Sequence, residues 1–158
     1  MFKHILVPTD GSVLSKEAVS HAVQFAKAVG AQITTLYAKP QYQYHTLNYA
    51  NDIAVRLTNI QTLTPERYEA QTEAKAQSVL GFVERLCRES DVSCQKLSLV
   101  NNDPYKAIIE VAEQSGCDLI FMASHGYKGL QGFLLGSETQ KVLTHSTIPV
   151  LVHRSATQ

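Results

Sequence analysis

Residues 121–140 read FMASHGYKGLQGFLLGSETQ: the end of an apolar strand, a glycine-spaced loop and the start of a helix. Four of the chain's 8 glycines, Gly126, Gly129, Gly132 and Gly136, fall within this one stretch. Glycine there has two physical readings. Either the backbone must come close to something bulky and anionic, or a long loop needs turns. The decision depends on the elements around it.

Working outward, HILVP (4–8), CDLIFMAS (117–124) and IPVLV (148–152) are continuously apolar, as expected of strands buried on both faces. AQITTLYA (31–38) is rich in β-branched residues and follows Gly30, which stands where a helix C-cap belongs. VSCQKLSLV (92–100) alternates more, so one of its faces is less buried. Pro149 suits a strand start or an edge position. Helical spacing fills the gaps: Val19, Ala22, Val23, Ala26 and Val29; then Ala76, Val79, Leu80, Val83 and Leu86; then Ala107, Ile108, Val111 and Ala112. Thr64-Pro65-Glu66 predicts an N-cap, a first-turn Pro and a favourable acid, and Asp103-Pro104 repeats the device. Ser137 and Gln140 predict a capping box ahead of Val142 and Leu143. The order β-α-β-α-β-α-β-α-β predicts an α/β fold with an open parallel sheet, doubly wound by helices on both faces.

At 158 residues the chain is expected to be one domain, spanning 1–158. Hydrophobic residues make up 44% and charged residues 18%, a globular composition. Lys+Arg and Asp+Glu balance at 14 each, and no basic cluster forms, which argues against nucleic acid as a partner. No apolar run reaches the roughly 20 residues of a membrane span, and the N-terminal strand lacks the pattern of a signal peptide. Cys87, Cys94 and Cys117 fit neither a disulfide framework nor a zinc pattern, so a reducing cytoplasm is the expected location. Residues 40–62, with Tyr42, Tyr44 and Tyr49, exceed what a crossover needs. They read equally as a lid and as a surface flap of packed tyrosines.

In open α/β sheets ligands sit beyond the carboxyl ends of the strands, where strand order reverses. Two loops leave apolar strands with suggestive residues: PTDGSVLS (8–15) and ASHGYKGLQGFLLGS (123–137). Strand order 3-2-1-4-5 would put both in one crevice. Gly136-Ser137 then opens a helix whose free N–H groups and dipole make an anion site, most naturally for phosphates. Asp10 ends a strand, which favours a ligand contact over a plain N-cap. His125 lacks an accompanying carboxylate or a nucleophile elbow, so it reads as a phosphate donor rather than a catalyst. The other histidines have no metal-ligand spacing.

HILVPTDGS at the start, the later glycine spacing and the closing TIPVLVHR together resemble the universal stress protein family over nearly the whole chain. The family's motif G-x2-G-x9-G-[S/T] here reads Ala123-x2-Gly126-x9-Gly136-Ser137, with Ala where the first Gly belongs. Asn102 is a second departure, at a position where related chains often carry Gly. The resemblance implies an adenine-nucleotide alpha-hydrolase-like fold and a homodimer formed through the last strand, Ile148 to Val152. It also implies binding of ATP, or of AMP or ADP, with Mg²⁺ and with slow turnover or none, as in the family's ATP-binding branch. It places Asp10 at the ribose, and Pro8 and Thr9 along the base pocket. Met122 and the backbone near Ala38 would flank the adenine, with Ala123 near the ribose. His125, Gly126, Gly136, Ser137, Glu138 and Thr139 would surround the phosphates. Glu138 would offer its backbone N–H while its carboxylate meets solvent or a metal. No catalytic residue and no protein metal site are expected. The function so implied is a nucleotide-binding stress or signalling module. Its rivals are an ATP hydrolase, for which the chain lacks both a Walker A pattern and an SGG-x-DS loop, and a dimeric interaction protein that has lost nucleotide binding.

Overall fold

Apolar runs of four to eight residues alternating with amphipathic stretches leave one economical arrangement, a sheet sandwiched between helices. The computed structural model, which describes residues 1–42, 64–126 and 135–155, has that arrangement. Its described elements are β1 (His4–Pro8), α1 (Val13–Val29), β2 (Gln32–Lys39), α2 (Pro65–Glu89), β3 (Cys94–Val100), α3 (Pro104–Gln114), β4 (Leu119–Ala123), α4 (Ser137–His145) and β5 (Val150–His153). The strands form one parallel sheet in the order β3-β2-β1-β4-β5, as the shared-crevice argument required.

Strand parity sorts the core into two layers. Ile5, Val7, Leu119 and Phe121 point toward α1 and α2, where they meet Val19, Val23, Val83 and Cys87. Leu6, Ile120 and Met122 point the other way, toward Ala107, Val111 and Val142 of α3 and α4. Both faces of the central strands are therefore buried, which is why β1 and β4 read as unbroken apolar runs. β3 is an outer strand with no fully buried residue, and its half-buried and exposed positions do not alternate as its sequence suggested.

Most local signals hold. Thr64 Oγ1 accepts from the Arg67 N–H at 3.3 Å, with Pro65 in the first turn of α2. Gly30 closes α1 in the left-handed conformation. Two capping expectations fail. Asp103 stands at the N-cap of α3 but makes no side-chain cap bond, and its carboxylate reaches Lys106 Nζ at 2.8 Å instead. The expected box of Ser137 and Gln140 does not form. Gly136 is the N-cap, Ser137 is already helical, and Gln140 Nε2 donates to the Leu135 carbonyl. Asn102 has no left-handed φ; its side-chain oxygen accepts from the Gln41 N–H at 3.0 Å. Among the described residues no helix is long and apolar enough to cross a membrane. Most of the 40–62 stretch, including Tyr44 and Tyr49, lies outside the described residues, as do Lys128, Gly129 and Gly132.

Candidate functional site

A crevice opens where β1 and β4 part. Their pairing ends at Leu6↔Ile120, while β1 continues along β2 to Pro8↔Leu36 and β4 continues along β5 to Ala123↔His153. The two inner strands thus stay in the sheet but separate from each other at their carboxyl ends. Thr9, Asp10 and Gly11 line one side, and Ser124, His125 and Gly126 the other.

The β1 side is braced by its own side chains. Thr9 N–H donates to the Leu36 carbonyl at 2.9 Å, and Thr9 Oγ1 lies 2.6 Å from Ser15 Oγ. Asp10 N–H donates to Ser15 Oγ, and Gly11 N–H donates to Thr9 Oγ1, both at 3.3 Å. Asp10 Oδ1 accepts from the Ser12 N–H at 2.9 Å, while Ser12 itself caps α1 by accepting from the Ser15 N–H. Asp10 is therefore not the N-cap; Ser12 is. Gly11 has φ of 80° and sits so tightly on α2 that an added Cβ would lie 2.7 Å from Val79 Cγ2. Ser15 is the residue sequence reading missed. The signal was the Ser12-x-x-Ser15 spacing at the helix start, a capping pattern whose second serine also reaches back to Thr9.

On the β4 side, Gly126 lies directly against Asp10: a Cβ there would strike the Asp10 carboxylate oxygen Oδ2. This close approach brings together the two loops singled out from sequence. Gly136 N–H donates to the Ser124 carbonyl at 2.8 Å, so the glycine loop is pinned at its neck. A Cβ on Gly136 would meet Cα and Cβ of His125 at 3.0 Å. That glycine is needed by the chain's own packing. Ser124 Oγ stands 3.2 Å from His125 Nδ1.

The N-terminus of α4 reaches the same place. Gln140 N–H already bonds to the Gly136 carbonyl. The N–H groups of Ser137, Glu138 and Thr139 precede the helix's first internal bond and have no intrahelical acceptor. Ser137 is exposed. Thr139 is buried, and its hydroxyl donates to the Ala123 carbonyl at 3.0 Å, leaving only its backbone for a ligand. Glu138 turns aside. One carboxylate oxygen accepts from the Tyr105 N–H at 2.8 Å, and the other meets Lys141 Nζ at 3.0 Å. The carboxylate expected to meet solvent or a metal is instead engaged with α3 and with Lys141, whose own pKa it raises.

The remaining expected residues are placed less directly. Pro8 ends β1 and is half-buried. Ala38 sits on β2 opposite Leu99 of β3 and is half-buried. Met122 is only 6% exposed, and its side chain belongs to the layer under α3 and α4. Ala123 packs on the opposite layer with ordinary strand dihedrals; Asp91 is the non-glycine residue with positive φ among the described residues. Lys39, a further cation at the carboxyl end of β2, is held by Glu73 at 2.7 Å. Gln77, and after it Lys39, hold the Glu73 carboxyl below its ordinary range.

The family model described as the universal stress protein family matches residues 1–154. A universal stress protein of Methanocaldococcus jannaschii, MJ0577, is 31% identical over 157 residues, covering 96% of this chain and 94% of its own. Its solved structure superposes with a TM-score of 0.77, at 24% identity in the structural alignment, covering 100% of this chain and 99% of that one. A universal stress protein in complex with cAMP matches with a TM-score of 0.68 at 24% identity, covering 98% and 99% of the two chains. One from Archaeoglobus fulgidus in complex with dAMP matches with a TM-score of 0.66 at 13% identity, covering 98% of each.

Proposed function

Because the chain belongs to the universal stress protein family, we propose that it binds an adenine nucleotide, ATP foremost, in the crevice between the β1 loop and the N-terminus of α4. The observation that carries this reading is the open first turn of α4, set with Gly126 across the split between β1 and β4 from Asp10. Free N–H groups and the positive end of the helix suit phosphates. Asp10 Oδ2 suits a ribose hydroxyl, and the Met122 and Ala38 backbones suit the base. The cAMP and dAMP ligands of two structural neighbours are adenine nucleotides, which supports the same ligand class here. Among the described residues no group of three His, Cys, Asp or Glu could hold a metal. Mg²⁺ would enter with the nucleotide, bound to its phosphate oxygens. Slow turnover or none is part of the proposal, since neither a Walker A pattern nor an SGG-x-DS loop occurs. The protein then acts as a stress or signalling module whose bound nucleotide alters its contacts.

Calorimetric titration with Mg-ATP tests this. Wild type should bind, and Ala123→Gly should leave the affinity unchanged, because Ala123 already has unstrained dihedrals. No heat at millimolar ATP for either protein would refute it. Turnover near 1–10³ s⁻¹ would favour the hydrolase instead.

The working unit is proposed to be a dimer paired through β5. The carbonyls of Pro149 and His153 accept from Ile120 of β4 and from Ser124 just beyond it. By parity the N–H and C=O groups of Val150 and Val152 face the open edge, free to pair with a second copy. Val152→Pro removes an outward donor and keeps the bonds to β4. It should give a monomer in sedimentation; an unchanged dimer would point to another surface.

A further inference from the structure

We infer that Cys94 and Cys87 form an oxidisable pair, in which a peroxide attacks Cys94 and Cys87 closes the product into a disulfide between β3 and α2. Cys87 lies on the inward stripe of α2 and is fully buried beside Val83. Cys94 opens β3, is partly buried, and packs against the same apolar cluster. The connection between them is tight: Ser90 N–H bonds to the Leu86 and Cys87 carbonyls at 3.1 Å, and Val92 N–H to the Cys87 carbonyl at 2.9 Å. Asp91 makes the turn with φ of 57°. Both thiols therefore border one apolar cluster, on either side of that turn.

Charge and exposure divide the roles. The neighbouring Cys87 thiol draws the Cys94 pKa below that of an ordinary thiol, and Cys94 Sγ lies 3.9 Å from the Gln95 carbonyl oxygen. Lys96, on the same face of β3, adds to this, while burial and Glu84 on α2 oppose it. Lys96 and Glu84 are themselves paired at 2.7 Å. The neighbouring Cys94, together with burial, pushes Cys87 up and keeps its proton in place. Cys94 stands on an outer strand that is bonded on one side only to β2, and it is the less buried of the two. Cys117 is an internal control: burial, with Asp118 nearby, pushes its thiol up to about 11.

The chemistry balances in two steps. The Cys94 thiolate attacks one peroxide oxygen; the O–O bond breaks, sulfenic acid forms and hydroxide leaves. The Cys87 sulfur then attacks the Cys94 sulfur as the S–O bond breaks, and the Cys87 proton passes to the departing hydroxide, which leaves as water. In sum, two thiols and one hydrogen peroxide give one disulfide and two waters. Reduction by an external dithiol reverses it.

The test uses the full chain, reduced and then exposed to hydrogen peroxide before denaturation, alkylation and peptide mass analysis. The expected product is an intramolecular Cys87–Cys94 disulfide with Cys117 still alkylatable, restored to free thiols by dithiothreitol. Cys87→Ser should stop at sulfenic acid on Cys94, trapped by dimedone. Cys94→Ser, checked for folding by circular dichroism, should leave Cys87 reduced. Cys117 oxidised first, Cys94 passing to sulfinic acid without a disulfide, or disulfides only between chains would each overturn the inference.

Discussion

Helices α3 and α4 pack side by side in one layer and begin beyond the carboxyl ends of β3 and β4, yet their first turns are treated oppositely. The start of α3 is closed. Pro104 has no N–H to satisfy, Tyr105 N–H donates to Glu138, and Lys106 and Ala107 N–H groups donate to the Asp103 carbonyl. The start of α4 is open. Its N-cap is Gly136, without a side chain, and the one acid in its first turn reaches across to cap its neighbour. The difference shows how an anion site arises inside an ordinary helical layer: one helix gives up its own cap to another and keeps its N–H groups for a ligand.

Closing the open end should have the largest effect. Ser137→Asp places a carboxylate beside the N–H groups proposed to hold phosphate. At about 6 Å and an effective dielectric of about 20, that repulsion is worth ~3 kcal/mol, on the order of a hundredfold in affinity. The same charge favours the helix dipole by ~0.3–1 kcal/mol, so thermal stability should hold or rise as binding falls. Calorimetry and thermal melts of one preparation separate the two. Retained affinity would mean that the nucleotide does not use this helix end.

Opening the closed end comes next. Glu138→Ala removes the carboxylate that caps α3 and strands the Tyr105 N–H. A lost cap costs ~0.5–2 kcal/mol, which for a chain of this size lowers Tm by roughly 2–8 °C. Nucleotide affinity should not fall, since the side chain is turned away from the crevice. A melt indistinguishable from wild type would show that the borrowed cap is not needed.

The smallest effect is expected at Asp103, which occupies the capping position without capping. Lys106 holds its carboxyl below the ordinary range. The folded-state pKa is depressed, so whatever stability the pair contributes is present at neutral pH and is lost as pH falls through that depressed value. The pair is exposed at the surface, where such contributions are near zero. Asp103→Asn should therefore melt like wild type at neutral pH, with at most a slight difference on acidification. A large loss would restore Asp103 to the role its position suggested.

Much of the site was legible because its signals are short-range. Asp10 at the end of an apolar run, and Gly126 and Gly136 at family spacing before a helix, could be marked without knowing what they touch. Legibility failed where a local pattern had competing partners. Gln140 three residues after Ser137 looks like a capping box, but the helix starts one residue earlier than that box requires, and Gln140 turns to the Leu135 carbonyl. Met122, at the end of an unbroken apolar run, gives no local sign that its side chain belongs to the layer under Val142.

The sequence by itself determined the alternation of strands and helices, the burial of β1 and β4 on both faces and the place of the crevice. These depend on apolar periodicity and on glycine and proline at element ends, which act over a few residues. Only the tertiary structure decided that Glu138 would cap Tyr105, that Gly126 would press on Asp10, and that Cys87 would share a cluster with Cys94. The first two pairs join residues far apart in the chain, and the third joins a helix to a strand across a turn. Their meeting depends on how the helices settle on the sheet and which hydrogen-bonding groups that packing leaves unsatisfied, and no local pattern encodes either.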